Sequence, residues 1–295
     1  MKTVLIIGQN GQVSTYLQKT LSGDYSLIVA DRSKIDLSEP GKVGLALERL
    51  NPSVIINPAA YTAVDMAEEE SDLAYLVNRD SVAQLASYCA KSNTPLIHFS
   101  TDYVFNGQGD TPYTELDPPA PSGVYGASKL AGERAIIESG APAIILRTSW
   151  VYSNHGKNFY KTMLGLAESR DELSVVADQI GAPTYAGSIA AACKQLLDII
   201  LEQGGITSVQ SGVYHFSCGG ETSWADFAKA LFIANGITNI KVHSITTDQY
   251  PTPAKRPAYS VLNCNKLQDT FAIALPNWER AVLDCVADTD LDLSA

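Results

Sequence analysis

Short apolar runs alternate with longer amphipathic segments through the first half of the chain. The runs cover residues 3–7, 26–30, 54–57, 96–100 and 143–147. They are rich in aliphatic and β-branched residues, and helix-length segments separate them, which is typical of strands buried on both faces of a parallel sheet. The pattern predicts an α/β fold with a doubly wound parallel sheet of the Rossmann type. In such a fold the ligand cleft lies beyond the carboxyl ends of the strands.

The segments between these runs carry helix signals. A helix over residues 13–21 follows the first run, and Pro40 can occupy the first turn of a helix that ends near Leu50. Asp72 is expected to cap a long helix that continues to residue 90. Each predicted helix connects two predicted strands, as a parallel sheet requires.

The regular alternation ends after Trp150. The second half has helical patterns at residues 159–169, 187–201 and 224–234, one strand at 213–216, and turn-rich segments at 178–185 and 250–258. We therefore expect a dinucleotide-binding domain over residues 1–150. Residues 151–295 should form a smaller α/β part that is mainly substrate-binding and whose segments interleave with the sheet. The acidic ending, residues 284–295, is expected to be a frayed tail.

Composition narrows the functional classes. The chain of 295 residues has a formal net charge of -11, and no basic run offsets the acidic field, so nucleic acid and anionic membrane surfaces are poor partners. The first apolar run stops at Gly8 and is too short for a signal peptide or a membrane span, so we expect a cytoplasmic protein. The five cysteines are widely spaced, without a CxxC pair, and we predict no metal site.

A glycine pattern follows the first predicted strand. Gly8, Gly11 and Ser14 form GxxGxxS at the start of the first predicted helix, where close backbone approach and free helix N–H groups suit a pyrophosphate. Asp31 and Arg32 follow the second strand, about 20 residues further on, as the dinucleotide fingerprint expects. An aspartate there suits a ribose 2'-hydroxyl and an arginine suits a 2'-phosphate, so the sequence leaves NADH and NADPH open.

Candidate catalytic residues occur in one helix and at one strand end. Tyr125 and Lys129 lie four residues apart in a predicted helix that runs to Glu138, so their side chains share one face. A nearby ammonium is expected to lower the pKa of the phenol. Ser100 and Thr101 lie at the carboxyl end of the fourth strand, where a hydroxyl can bind a substrate carbonyl. Together these groups predict the reduction of a ketone.

With these motifs the chain closely resembles the extended short-chain dehydrogenase/reductase family over nearly its whole length. The most specific stretches are residues 100–105, 124–133, 147–152 and 178–184. The resemblance implies that Tyr125 is the proton donor, that Lys129 activates it and binds a ribose, and that Thr101 is the hydroxyl partner.

The resemblance also implies positions for the two ligands. The cofactor-binding residues that it implies are Gly11, Gln12 and Val13 for the pyrophosphate, Asp31 for the adenosine ribose, Asp36 and Leu37 for adenine, and Ala59, Ala60, Tyr61 and Thr62 along the dinucleotide. Gly8 and Arg32 belong to the expected cofactor-binding set through the glycine pattern and the position after the second strand. Asp102, Tyr103 and Trp150 are expected to face a sugar. From the residues alone, a core position is favoured for Trp150, and only the resemblance reverses this.

Two departures and one further candidate complete the set. Ser14 replaces the third glycine of the loop. Some relatives join a dimer through a metal held by acidic residues, but this chain has Tyr16, Gly187 and Ser188 in those segments. We therefore expect a monomer or a weak homodimer. Arg256 is the candidate for the diphosphate of the substrate, because an anionic protein needs a local guanidinium for that contact.

The reaction that the resemblance implies is NAD(P)H-dependent reduction of the C4 keto group of dTDP-4-dehydro-6-deoxy-L-mannose, which gives dTDP-L-rhamnose. Two alternatives stay open. One is a nucleotide-sugar epimerase or dehydratase of the same family. The other is a non-catalytic regulatory binding subunit, a role that the β subunit of methionine adenosyltransferase has with a similar sequence. The four histidines show no ligand spacing and receive no catalytic role.

Overall fold

Six parallel strands form the central sheet in the computed structural model, which describes residues 2–288. The strands are β1 Thr3–Ile7, β2 Ser26–Ala30, β3 Val54–Asn57, β4 Leu96–Thr101, β5 Ala143–Thr148, β6 Val151–Tyr152, β7 Glu172–Val176, β8 Ile180–Gly181, β9 Thr184–Tyr185, β10 Gly212–His215, β11 Thr222–Ser223 and β12 Lys241–Ile245. The order in the sheet is β10-β5-β4-β3-β1-β2, and every pair is parallel. The doubly wound parallel fold predicted from the apolar runs is confirmed.

Helices cover both faces of this sheet. They are α1 Gln12–Leu21, α2 Pro40–Leu50, α3 Val64–Ala67, α4 Ser71–Tyr75, α5 Ser81–Ser92, α6 Val124–Ser139, α7 Phe159–Ala167, α8 Ala186–Glu202, α9 Trp224–Ala234, α10 Asn265–Phe271 and α11 Trp278–Ala287. Pro40 is at the first turn of α2, as predicted. The end of α11 includes part of the predicted acidic tail, whose last residues, 289–295, lie outside the described part.

Alternate side chains of each central strand enter two separate cores. Val4 and Ile6 of β1 join the core that contains α1 and α8, whereas Leu5 and Ile7 join the core that contains α2 and α5. All four side chains are almost completely buried. Burial on both faces explains why the strands read as continuous apolar runs rather than as alternating patterns.

The strand order reverses between β1 and β3. The chain goes from β1 to β2 on one side and then returns to build β3, β4 and β5 on the other side. The loops after β1 and β3 therefore leave the sheet in opposite directions, and a crevice opens between them at the carboxyl edge. This topology determines where the site can be.

The second half contributes to the central sheet as well as to a separate lobe. Strand β10 pairs with β5, and α8 packs against α1. Outside the sheet, β7 pairs with β12 and α9 packs on both strands. The division into a dinucleotide-binding domain over residues 1–150 and a mainly substrate-binding, interleaved part over residues 151–295 stays a prediction.

The long helix predicted to start at Asp72 is interrupted. Helix α4 has Glu70 as its N-cap, so the capping role predicted for Asp72 is wrong, and Asp72 lies in the first turn. A π-helical turn, Leu76–Asp80, separates α4 from α5. A turn of this kind has a wider ring of hydrogen bonds and carries one extra residue.

Helix α6 approaches that wide turn very closely. A Cβ atom added to Gly132 of α6 would overlap the carbonyl oxygen of Asn78. Asn78 is fully buried, and its side chain binds the backbone of Tyr61 and the hydroxyl of Ser128. The glycine is therefore needed for close packing of α6 rather than for an unusual φ angle.

No helix within residues 2–288 has both the length and the apolar character that crossing a lipid bilayer requires.

We expect Gly132→Ala to lower the free energy of unfolding by about 1–3 kcal/mol, because the added methyl group must displace backbone. Urea unfolding followed by circular dichroism measures this change. Gly44→Ala in α2 is the control, since nothing lies within 4 Å of its added Cβ. That control should gain about 0.5–1 kcal/mol from reduced backbone entropy in the unfolded chain. Equal effects of the two substitutions would contradict the packing argument.

Candidate active site

A cavity of about 1250 Å³ opens at the carboxyl ends of the central strands. It is lined by the loop after β1, the end of β2, the loop after β3, the end of β4, the start of α6 and the segment after β5. Of the residues selected from the sequence, only Arg256 is missing from its lining, and all the others are present. The fold therefore brings the candidate cofactor, catalytic and sugar residues into one space.

The loop after β1 has the geometry of an anion site. Gly8 has a φ of 89°, a region that favours glycine, and its N–H donates to Ala30 O at 2.8 Å. No side chain caps the amino end of α1, where Gly11 is the N-cap. Nothing lies within 4 Å of a Cβ added to Gly11. The free N–H groups and the open space above them fit the pyrophosphate of a dinucleotide.

Asp31 and Asp36 organise the loop after β2. Asp31 Oδ1 accepts hydrogen bonds from Ser33 N and Ser33 Oγ at 3.0 and 2.6 Å, and Asp36 Oδ1 accepts the corresponding pair from Ser38. The Ser33 hydroxyl holds the pKa of Asp31 below its usual value. Both carboxylates thus brace turns at the cavity edge, where the adenosine end of a dinucleotide is expected.

One face of α6 carries a polar side chain at every fourth residue: Tyr125, Lys129 and Glu133. Glu133 makes a bidentate ion pair with Arg147 of β5, with Nε to Oε1 at 2.9 Å and Nη2 to Oε2 at 2.7 Å. Ser100 Oγ of β4 donates to the same Oε1 at 2.5 Å. All of these partners are buried. The pair therefore fixes α6 to the two strands whose ends lie below the cavity.

Lys129 is buried at the bottom of this cavity with 2% of its surface exposed. Its Nζ donates to Phe99 O at 2.6 Å and lies 3.4 Å from His98 Nε2. Burial lowers the pKa of Lys129 to about 8, and the negative charge of Glu133 opposes that decrease. A lysine in this state can gain or lose a proton near neutral pH.

Tyr125 behaves differently from the sequence prediction. Burial raises its pKa to about 12, while a hydrogen bond with Thr101 lowers it and the charge of Asp102 raises it. The expectation that Lys129 lowers the pKa of this phenol is therefore wrong for the protein without ligands. The reason is geometric, since the Lys129 amine is directed at Phe99 O and His98. At neutral pH the phenol carries its proton.

Asp102 is a buried carboxyl group beside the phenol. Its exposed fraction is 3%, and its Oδ2 has no hydrogen-bond partner among the described residues. Oδ1 accepts from Thr101 Oγ1 at 2.9 Å. Burial raises the pKa of Asp102 to about 6, and the hydrogen bond from Thr101 limits the increase. An unpartnered acceptor beside the cavity can bind a hydroxyl group of a ligand.

A pair of tryptophans forms one wall of the cavity. Trp150 has a φ of 46°, which is unusual for a bulky residue, and its ring stacks on Trp224 with a centroid distance of 3.5 Å. A Cβ on Gly181 would overlap the Trp150 ring. Trp224 belongs to α9, and the sequence analysis did not identify it as a site residue. Its proximity to the cavity results from the tertiary packing of the second half.

Arg256 lies outside the cavity lining. Its Nη2 pairs with Asp65 Oδ2 at 2.7 Å, and Asp65 Oδ1 accepts Ala254 N at 3.0 Å. The guanidinium therefore helps to attach the 250–258 segment to α3. Nη1 of Arg256 is buried without a partner among the described residues, and a diphosphate contact by this guanidinium stays a prediction.

Lys157 is a cation in the cavity lining that the sequence analysis missed. It is exposed, and no carboxylate lies within ion-pair distance of it among residues 2–288. The neighbouring Ser153 and Asn158 donate to Gln12 Oε1 at 2.9 and 2.8 Å. The loop that carries Lys157 is thereby attached to the start of α1. The signal in the sequence was only a lysine in a short Gly- and Asn-containing loop.

Comparison with known proteins identifies the family. The model of the RmlD substrate binding domain family matches residues 1–291. The chain belongs to this family. The resemblance that the sequence motifs indicated is confirmed.

Similar proteins cover almost the full length. The dTDP-4-dehydrorhamnose reductase of Sinorhizobium fredii is 46% identical over 94% of this chain and 94% of its own. The protein of the same name from Escherichia coli K12 is 41% identical over 95% of each chain. The crystal structure of Bacillus anthracis dTDP-4-dehydrorhamnose reductase in complex with NADP has a TM-score of 0.90 and 36% identity, covering 98% of this chain and 99% of that one.

The buried carboxyl group gives a pH-dependent prediction for this RmlD-family protein. Since the pKa of Asp102 rises from 3.8 to about 6 on folding, the fold loses stability as the pH increases between these two values, and the loss is complete above the higher one. Asp102→Asn should therefore increase the free energy of unfolding at pH 8 by up to about 3 kcal/mol, and the gain should disappear towards pH 4. Denaturant unfolding at several pH values measures it.

Asp117→Asn is the control for this experiment. Asp117 is a half-buried carboxylate whose pKa is lowered by hydrogen bonds from Thr114, so its ionised form stabilises the fold. Its replacement should not increase stability at pH 8. A stability gain of Asp102→Asn that stays constant from pH 4 to pH 8 would show that ionisation is not the cause.

Proposed function

We propose that the chain catalyses the NAD(P)H-dependent reduction of the C4 keto group of dTDP-4-dehydro-6-deoxy-L-mannose to give dTDP-L-rhamnose. The observation that carries this proposal is the position of Thr101, Tyr125 and Lys129 in the same cavity as the uncapped amino end of α1. The names of the relatives and the NADP in the similar structure support it.

The cofactor would lie across the carboxyl edge of the sheet. The pyrophosphate would accept hydrogen bonds from N–H groups at Gly11, Gln12 and Val13. The adenosine end would meet Asp31, Arg32, Asp36 and Leu37, and the loop after β3 would follow the middle of the molecule. When bound, the reduced nicotinamide supplies the hydride that C4 of the sugar receives.

Tyr125 would supply the proton for the same step. As C4 changes from a ketone to an alcohol, negative charge develops on its oxygen, and a nearby O–H donor prevents that charge from accumulating. The raised pKa of Tyr125 keeps the phenol protonated at neutral pH, which is the form that reduction needs. The Thr101 hydroxyl, which donates to Asp102 Oδ1 in the structure, would turn to donate to the carbonyl and orient it.

Asp102, Tyr103 and Trp150 would bind the sugar. The free Oδ2 of Asp102 can accept a hydrogen bond from a hydroxyl group, and the stacked Trp150 ring presents an apolar wall. Tyr103 packs edge-on against Tyr125 with a centroid distance of 5.5 Å. This contact would limit movement of the phenol.

We expect Tyr125→Phe to lower kcat by about 10²–10⁴-fold, because the developing alkoxide then has no proton donor. Oxidation of NADPH in the presence of the keto sugar, followed at steady state, measures the loss. Binding of NADPH, measured separately by fluorescence, should change little. Wild-type turnover in this variant would reject the mechanism.

Tyr88→Phe is the matched control for loss of a phenol hydroxyl. Tyr88 lies on α5 and does not line the cavity. Its kcat should equal that of the wild type. The same assay also separates reduction from an epimerase or dehydratase reaction, since only reduction consumes one NADPH for each sugar converted.

Lys157→Gln should weaken NADPH binding by about three- to tenfold. The reason is that Lys157 is an exposed cation in the cavity lining, on the loop whose Ser153 and Asn158 are hydrogen-bonded to Gln12. Fluorescence titration of NADPH at low and high salt measures the dissociation constant. The difference from the wild type should shrink at high salt, since an exposed charge is screened.

Lys161→Gln serves as the control for this substitution. Lys161 is an exposed lysine one turn further along the chain, in α7, and it does not line the cavity. If both substitutions weaken binding equally, the effect comes from net charge and not from a contact with the cofactor.

A further inference from the structure

A row of buried polar groups leads from the sheet to the amine of Lys129. Asn57 of β3 and His98 of β4 are register partners on neighbouring parallel strands, and both are completely buried. Asn57 Nδ2 lies 3.1 Å from His98 Nδ1, and His98 Nε2 lies 3.4 Å from Lys129 Nζ. The two ring nitrogens of His98 are thus both in contact with a polar partner.

The polar inventory of these groups restricts how they can be protonated. A lysine ammonium has donors only, and a neutral imidazole has one donor and one acceptor. Burial and the charge of Lys129 keep the pKa of His98 well below its usual value, so the ring is neutral. If the ammonium donates to Nε2, the ring proton must be on Nδ1, and Nδ1 needs an acceptor.

Asn57 can provide that acceptor. Its Oδ1 is buried without a partner while Nδ2 faces the ring. A rotation of the amide by half a turn presents Oδ1 to Nδ1–H and makes a continuous chain from Asn57 through His98 to Lys129. With a neutral amine the opposite chain forms, in which Nε2–H donates to Nζ and Nδ1 accepts from Asn57 Nδ2. Asn57 and His98 can therefore bind Lys129 in either protonation state.

We propose that His98, supported by Asn57, is a positioning residue for Lys129: the imidazole is the hydrogen-bond partner that holds the amine beneath the cavity in both of its protonation states. The inference deepens the proposed function and rests on it for its catalytic meaning. Its structural content, the contact between ring and amine, is independent of the reaction. In the proposed reaction Lys129 would contact the cofactor, and His98 would act only through Lys129.

Other charged groups near the amine are accounted for. Glu133, on the same helix, favours the ammonium form, but both of its oxygens are engaged by Arg147. Tyr125 lies one turn away and is protonated at neutral pH. His98 is thus the polar side chain from β4 that contacts the amine, together with the Phe99 carbonyl from the same strand.

The test measures Lys129 directly in the protein without cofactor. Lysine labelled with carbon-13 at Cε is titrated by NMR, and Lys129→Met identifies the resonance. The wild-type pKa of Lys129 is about 8. In His98→Leu the ammonium loses an acceptor in a buried site, so that pKa should fall by about one pH unit. His98→Gln, whose side-chain oxygen can accept, should restore most of the difference.

Two further variants complete the experiment. Asn57→Leu keeps the ring but removes its partner, and it should lower the same pKa by a smaller amount; it also provides the test if His98→Leu does not fold. His243→Gln removes an exposed imidazole on β12 and should leave Lys129 unchanged. An unchanged Lys129 pKa in both His98→Leu and Asn57→Leu, or in Asn57→Leu alone when the former does not fold, overturns the proposal.

Kinetics then connect the contact to the reaction. The decline of kcat at high pH should move to lower pH in His98→Leu by the same amount as the Lys129 titration, and His98→Gln should reverse it. An NMR shift in a wild-type protein that does not reduce the keto sugar would refute the proposed function and keep the contact. Reduction by the wild type with no NMR shift in either variant would refute the contact alone.

Discussion

The bidentate pair between Glu133 and Arg147 is the interaction on which the site depends. It joins α6 to β5, and Ser100 connects the same carboxylate to β4. A carboxylate and a guanidinium removed from water are costly unless their hydrogen bonds are satisfied. This geometry satisfies both oxygens of Glu133 as well as Nε and Nη2 of Arg147, whereas Nη1 of Arg147 has no partner among the described residues. Glu133, Lys129 and Tyr125 share one face of α6 at four-residue spacing. Because Glu133 is fixed by Arg147, the positions of Lys129 and Tyr125 along the helix axis and around it are fixed as well.

The parts of the fold that have a local sequence pattern could be predicted from the sequence. Central strands such as β1 and β3 are buried on both faces, so they appear as uninterrupted apolar runs. Helix α6 is recognisable by its motif but not by an apolar stripe, since its buried face carries Lys129 and Glu133. The π-helical turn, Leu76–Asp80, has no local signal, because it depends on the close approach of Gly132.

The candidate site divides in the same way. Residues in contiguous motifs, such as Thr101 and Tyr125, could be selected because topology alone carries strand ends and the following loops to one edge. Trp224 and Lys157 could not, since they reach the cavity through packing of the second half against the first. Arg256 was chosen for its charge, but a sequence cannot reveal that Asp65 already holds a guanidinium.

Electrostatics reconcile an acidic protein with anionic ligands. The net charge of -11 opposes the approach of a dinucleotide, and Asp31 and Asp36 lie at the edge of the cavity. Attraction must therefore be local and short-range, and backbone N–H groups at the uncapped end of α1 supply it without adding a mobile cation. The buried amine of Lys129 adds positive charge at the other end of the cavity. Burial disfavours the charged form of this amine, and its contacts with Phe99 O and His98 stabilise that form. Hydrogen-bond acceptors placed beneath the amine thus keep a titratable cation at the bottom of the cavity.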